Sequence, residues 1–401
     1  MRQFQFLFVL LLLTSCEISL KEDQNLLANL MKQEPSRFRR FLDRADSLEI
    51  QILYTQINRD ERNRPTFRSY YFRVDSIRYF YPASTVKLPL VLLSFEKLND
   101  LGIQGLDKFT PVFHDSVYAG QKSVRVDSAE SNGLPSIAGY ARKILLFSDN
   151  NASNRLYEFM GQLAINQRLR EGGYNIRIVH RLSRSVTPDQ DRHTEAIRFV
   201  SNDTLIFAQP MLVNPDSIKP LRKVLKGIGF MWGDSLIRQP FDFSYKNSFP
   251  LQEQQEILKA ILFPDYVAPG KRFNLSSDDR QFLLQFMSQV PIEGASGKLL
   301  MFAGDEKPMP ENIRIFSKTG GAYGYLIDNA YVVDFENGVE FLLSAVIHTN
   351  RDGIYNDDKY EYETEGYPFL KNLGQLVYRY ELQRKRAYKP DLIEFKVKYN
   401  R

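Results

Sequence analysis

From Leu88 to Leu98 the chain is apolar on nearly every face, a pattern that fits a helix buried on all sides. Such a helix needs a thick shell of protein around it. A chain of 401 residues with 43% hydrophobic content can supply one, and its length allows one to three domains. Charged residues make up 25% of the chain and no long polar tract occurs, which is a globular composition. The net charge of +5 is spread over 53 basic and 48 acidic residues. Nucleic-acid binding needs a clustered basic stripe, so no nucleic-acid partner is expected.

The N-terminus sets an expected location. Arg2 precedes a short apolar run from Phe6 to Leu13, too short to span a bilayer comfortably and typical of a secretory signal. The run ends in Leu13-Thr14-Ser15-Cys16, which resembles the bacterial lipoprotein cleavage box, in which the cysteine becomes the lipidated first residue. Cys16 is the one cysteine in the chain, so no intramolecular disulfide can form. The reading is a signal peptide over 1–15, a tether and helix over 16–47, and a protein held to the membrane by lipid on Cys16, in the cell envelope, facing the periplasm or exterior. No later run of 18 or more apolar residues follows.

Ile50 to Ile57 and Phe67 to Val74 alternate like strands around a charged, proline-containing turn. After the buried helix come helical stretches at about 138–147, 151–170, 251–262 and 278–289, the last opened by the capping cluster Ser276-Ser277-Asp278. Arg181 to Pro240 shows no clear period and reads as loop-rich. Strand character returns at Asn312–Phe316, Tyr325–Asp334 and Glu340–Thr349, and a helix at about 367–384 closes the pattern. One α/β domain built from 48–83 and 312–385, with an all-α domain over 84–311 inserted and a basic tail over 386–401, accounts for this order.

Three motifs carry chemistry. Ser84-Thr85-Val86-Lys87 stands where the buried helix begins. Residues three apart share a helix face, so Lys87 can reach the Ser84 hydroxyl. A serine is a weak nucleophile until a base takes its proton, and a lysine can be that base once burial depresses its pKa. The helix start also offers free N–H groups to an oxyanion. Ser-x-x-Lys occurs by chance about once or twice in a chain this long, and Ser94 to Lys97 is a second match. It lies about 15 Å further along the helix and reads as packing.

Ser148-Asp149-Asn150 opens the next long helix. By itself it is a cap; functionally, the Ser148 hydroxyl can relay a proton to the leaving group, and the Asn150 amide can bond Lys87 and the substrate carbonyl. Lys318-Thr319-Gly320-Gly321 is either a strand ending in a glycine turn or the place where Lys318 and Thr319 hold a substrate carboxylate and Gly321 N–H completes an oxyanion hole.

Ser-x-x-Lys, Ser-Asp-Asn and Lys-Thr-Gly in this order form the signature of class A β-lactamases and penicillin-binding enzymes, and the chain resembles that family across about residues 48–385. Tyr81–Leu90 (YPASTVKLPL) and Ser148–Gly161 (SDNNASNRLYEFMG) are similar to family segments. The resemblance implies a β-lactamase/transpeptidase-like fold, an antiparallel sheet from both chain ends with an inserted helical domain. It also implies a serine hydrolase with an acyl-enzyme on Ser84 in the cleft between the two parts, acting on a β-lactam or a peptidoglycan-like peptide.

One departure bears on turnover. The family's deacylating Glu, followed four residues later by Asn, has no match here. Asp189, Asp191 and Glu195 stand in the candidate loop, of which Glu195 has the most suitable spacing as a deacylation acid. An insertion is expected around 205–275. Three readings therefore stand: β-lactam hydrolysis; a cell-wall D-Ala peptidase or esterase with slow deacylation; and a non-catalytic envelope binding protein on the same scaffold. The histidines at 114, 180, 193 and 348 lack metal-ligand spacing. No cofactor motif occurs, and Asn356-Asp357-Asp358 with the glutamates after it reads as a solvated loop.

Overall fold

The computed structural model describes residues 25–220, 222–290, 298–303 and 309–399. The signal-peptide and Cys16 readings lie outside the described residues.

Five strands form one antiparallel sheet in the order Ile313–Ala322, Tyr325–Asp334, Val339–His348, Gln51–Arg59, Pro65–Phe72. Both ends of the chain thus contribute to it, as the pattern of elements implied. Successive strand residues point to opposite faces, and both faces are covered. Phe341, Leu343 and Ala345 pack with Phe38, Phe41, Phe369 and Leu373 on one side. Leu342 joins the helical core on the other. Burial on both faces explains why Val339–His348 is buried at every position and mostly apolar rather than alternating.

The helix predicted from Leu88 runs from Lys87 to Leu101, and residues from Lys87 to Phe95 are buried along it. Pro89 is tolerated because it stands in the first turn, where its missing N–H has no helical partner. Gly102, at φ 58°, ends the helix. Around it lie Ile137–Phe147, Asn150–Met160, Gln162–Glu171, Leu251–Leu262 and Ser277–Ser288. The stretch expected as one helix over 151–170 is split at Gly161, whose φ of 79° no helix accommodates. The N-terminal helix is likewise two, Leu26–Gln33 and Pro35–Asp43, because Pro35 starts a new one.

Two other readings are corrected. The segment 181–240 is not simply loop. Ala196–Ser201 pairs with Val112–Asp115 on one side and with Thr204–Gln209 on the other, a three-stranded sheet. Within the expected insertion, Gly229–Trp232 and Ser235–Ile237 form a hairpin that pairs with Ile354–Tyr355. Nor is the C-terminal segment a free basic tail. Phe395 is fully buried against Tyr331, Phe316 and Phe263, at ring-centroid distances of 4.9, 5.8 and 5.9 Å.

Candidate active site

Ser84 stands in a tight helical turn, Ala83–Val86, that leads into the buried helix. Thr85 fixes the turn: its N–H and hydroxyl both donate to the Pro82 carbonyl, at 3.1 and 2.7 Å. Ala83 adopts φ 48° just before the serine, a conformation that costs a non-glycine residue energy and persists only when its surroundings impose it. Ser148, Tyr323, Asn356 and Asp358 gather around the same place with φ between 55° and 61°.

Lys87 is fully buried. Its ammonium donates to the Ser148 carbonyl, and to the Ser148 hydroxyl at 3.2 Å. Both acceptors are presented together because Ser148 is left-handed, closing the helix Ile137–Phe147 immediately before Asp149 caps the next. Burial holds the Lys87 pKa down to about 8, against a smaller opposing pull from Asp149. Lys318 approaches from the sheet and donates to the same Ser148 hydroxyl at 2.9 Å. Burial first, then the charge of Lys87, push Lys318 well below the usual lysine value. Asp328 and Lys298, both buried, add their charges behind it. The two motif lysines therefore converge on one hydroxyl.

The Lys-Thr-Gly-Gly run sits differently from the sequence reading. Lys318 to Gly321 do not follow the strand but continue it, pairing with Asn329 to Leu326, and the chain turns at Tyr323-Gly324. Thr319 is half-buried along this strand. Gly320 faces the serine turn so closely that a Cβ there would lie 2.9 Å from the Pro82 carbonyl oxygen and 3.1 Å from Ser84 N. The absence of a side chain at 320 is what lets the strand close against Ser84.

Ser84, Asn150, Ser183, Gly321, Tyr323 and Asp358 line a common cleft of about 430 Å³. Asn150 differs from expectation in its partner: its amide donates to Ser183 Oγ at 2.8 Å rather than bonding Lys87, whose donors go to Ser148. Ser94 is the packing residue the sequence suggested, donating to Leu90 O at 2.8 Å within its own helix.

Glu195 is corrected. It is fully buried away from the cleft, held between Arg155 and His114, with His114 Nδ1 at 3.0 Å. Burial opposes its charge, but His114 and Arg155 outweigh that and keep its pKa below the ordinary glutamate value. It forms part of a buried network with Glu158 and Arg181. Sequence reasoning missed Ser183 and Asp358. Asn356 and Asp358 of the acidic run are exposed, as expected of a solvated loop, and the pairing of Ile354–Tyr355 also brings them to the cleft rim. Among the described residues no group of His, Cys, Asp and Glu is arranged to hold a metal ion.

Residues 36–217 match the beta-lactamase enzyme family. No curated protein matches the sequence. Among solved structures, the chain is similar to the chromosome-encoded β-lactamase of Vibrio parahaemolyticus, at 13% identity and TM-score 0.48, covering 88% of this chain and 100% of that one. It is similar also to a class A β-lactamase from Mycobacterium abscessus, at 15% identity and TM-score 0.47, over 89% and 98% of the two chains. A PBP-A mutant described as an acyl-enzyme complex with penicillin G shows 16% identity and TM-score 0.49, over 88% and 96%.

Proposed function

We propose, from the match of residues 36–217 to the beta-lactamase enzyme family and the site assembled on Ser84, that this chain is a serine hydrolase of β-lactamase-like type. In this reading it forms an acyl-enzyme on Ser84 and releases it slowly. The observation that carries the reading is the Ser148 hydroxyl held between two buried lysines, 3.2 Å from Lys87 and 2.9 Å from Lys318.

In the proposed reaction neutral Lys87 takes the Ser84 proton as the hydroxyl attacks a strained or activated carbonyl. Charge developing on the carbonyl oxygen faces the N–H groups of Ser84 and Gly321. The proton then passes through Ser148 to the leaving nitrogen, while Lys318 and Thr319 hold the substrate carboxylate. Asn150 orients the acyl group from the opposite wall. Substrates of this kind are β-lactams or peptidoglycan-like peptides, and no cofactor is needed. An envelope location through lipid on Cys16 belongs to the same proposal.

Slow release is the finer point. Among the described residues Asp358 is the carboxylate that lines the cleft, and Glu195 is locked elsewhere. This favours a cell-wall D-Ala peptidase or esterase over rapid β-lactam hydrolysis. Purified protein incubated with a chromogenic cephalosporin should show a covalent adduct on Ser84 by mass spectrometry that lasts for hours, with little hydrolysed product. No adduct and no hydrolysed product would end the enzyme reading. Rapid turnover would replace slow release with β-lactamase action and direct attention to Asp358, tested by Asp358→Asn.

Gly320→Ala tests the close approach of strand and nucleophile. The new Cβ meets backbone atoms that cannot move aside cheaply, so the strand must back away from Ser84. Acylation should slow by about 10²-fold, the effect of an ångström-scale misplacement, while circular dichroism shows a folded protein.

A further inference from the structure

A second cavity, of about 650 Å³, lies back to back with the cleft. Asn150 and Ser183 line the cleft, their immediate neighbours Asp149, Asn151 and Arg184 line this cavity, and the Asn150–Ser183 hydrogen bond stands between the two. Most of its charges are already matched. Lys143 pairs with Asp127 and Arg155 with Glu195, while Asp149 accepts the Ala152 N–H at 2.7 Å as a helix cap.

Lys122 and Arg184 are different. Within the described residues neither side chain makes an ion pair or a hydrogen bond, although both face the cavity. Arg184 is half-buried; burial first, then the charge of Arg155, disfavour its cation, and Glu158 and Glu195, neither within ion-pair distance, offset this only in part. A half-buried guanidinium with no carboxylate in contact is costly, and an anion beside it lowers that cost. Independently, Tyr140 lines the same cavity with 4% of the residue exposed, and its buried hydroxyl has no hydrogen-bond partner. A buried hydroxyl is ordinarily bonded. Two unmatched cations and an unmatched donor around one space describe a receptor for an oxyanion.

We propose that this cavity is an anion-binding subsite that takes a second carboxylate, carried on the acyl portion of the substrate. Lys122 and Arg184 supply the charge and Tyr140 Oη donates. The identity of the ligand as part of the substrate rests on the function proposed above; the anion site itself does not. A substrate suited to both cavities carries one carboxylate for Lys318 and Thr319 and another that reaches past Asn150.

Isothermal titration of the purified protein with pimelate, a flexible dicarboxylate, tests the site without any acylation. Saturable binding is expected, unchanged in Ser84→Ala. It should weaken by about tenfold or more in the combined Lys122→Gln and Arg184→Gln variant, as the loss of charge-assisted hydrogen bonds implies, and by less in Tyr140→Phe. Lys122→Gln alone, at an exposed position, gives the same direction without touching the core. No saturable binding, or binding that the double variant leaves intact, overturns the proposal. Acylation by benzylpenicillin, which lacks the second carboxylate, should be unaltered in the double variant. If wild type is not acylated either, the proposed function has failed while the pimelate result still decides the anion site.

Discussion

Replacing Lys87 with methionine should slow acylation of Ser84 by about 10²–10⁴-fold, the usual contribution of a positioned general base, without destabilising the fold. Methionine fills a similar volume in a site where Lys87 is fully buried. The wild-type pKa of about 8 gives the pH dependence its sign. The folded lysine loses its proton near pH 8 and the unfolded one near its model value of 10.5. Between those values the unfolded chain binds more protons, so stability rises with pH across that window. Below pH 8 the protein must hold a charged ammonium in a dry site, and methionine removes that burden, so the variant's thermal midpoint should equal or exceed wild type there. The wild-type acylation rate should climb to a plateau with an inflection near pH 8, and the inflection should vanish in the variant. An adduct that forms at wild-type speed in Lys87→Met would remove Lys87 from the chemistry.

Glu195→Gln should behave in the opposite way, lowering stability by about 3–5 kcal/mol, the cost of stranding a buried charge, and leaving the lifetime of the Ser84 adduct unaltered. The carboxylate is the counter-charge of Arg155 and the partner of His114, and all three side chains are buried. Because its folded pKa lies below the model value of 4.5, its stabilisation is complete above that pH and is lost as the pH falls through the folded pKa. Wild type should therefore lose stability on acidification in a way the variant does not. Chemical denaturation at pH 7 and pH 4, set beside adduct decay by mass spectrometry, separates the two roles. A longer-lived adduct in a stable Glu195→Gln protein would return this residue to catalysis.

The contrast between these residues shows what the sequence could disclose. Ser84, Lys87, Ser148 and Lys318 were legible because each belongs to a local grammar of helix start, helix cap or strand, and the apolar runs around them dictate where those elements go. Glu195 was misread because spacing along a chain says nothing about which way a side chain turns; here Arg155 and His114 draw it inward. Asn150 stands at the cleft as expected, but its partner Ser183 comes from an aperiodic loop that carries no signal of its own. Asp358 was hidden for a third reason. Its position depends on the pairing of Ile354–Tyr355 with a hairpin more than a hundred residues earlier, and a two-residue strand leaves no pattern to read. The same non-locality applies to Ala196–Ser201, which pairs with Val112–Asp115, whereas its hairpin partner Thr204–Gln209 is local and mostly exposed, so it carries no clear apolar alternation.

The burial of Phe395 has a consequence for how the molecule can be handled. Its ring sits behind Phe316, which lies on the same strand as Lys318, just ahead of it. A protease nick or an engineered truncation ahead of Phe395 would leave every motif residue in place yet take away the backing of the strand that carries one of the two lysines. Fragments trimmed to the motifs alone are therefore poor stand-ins for the whole chain, and any inactivity they show says little about the role proposed for Ser84.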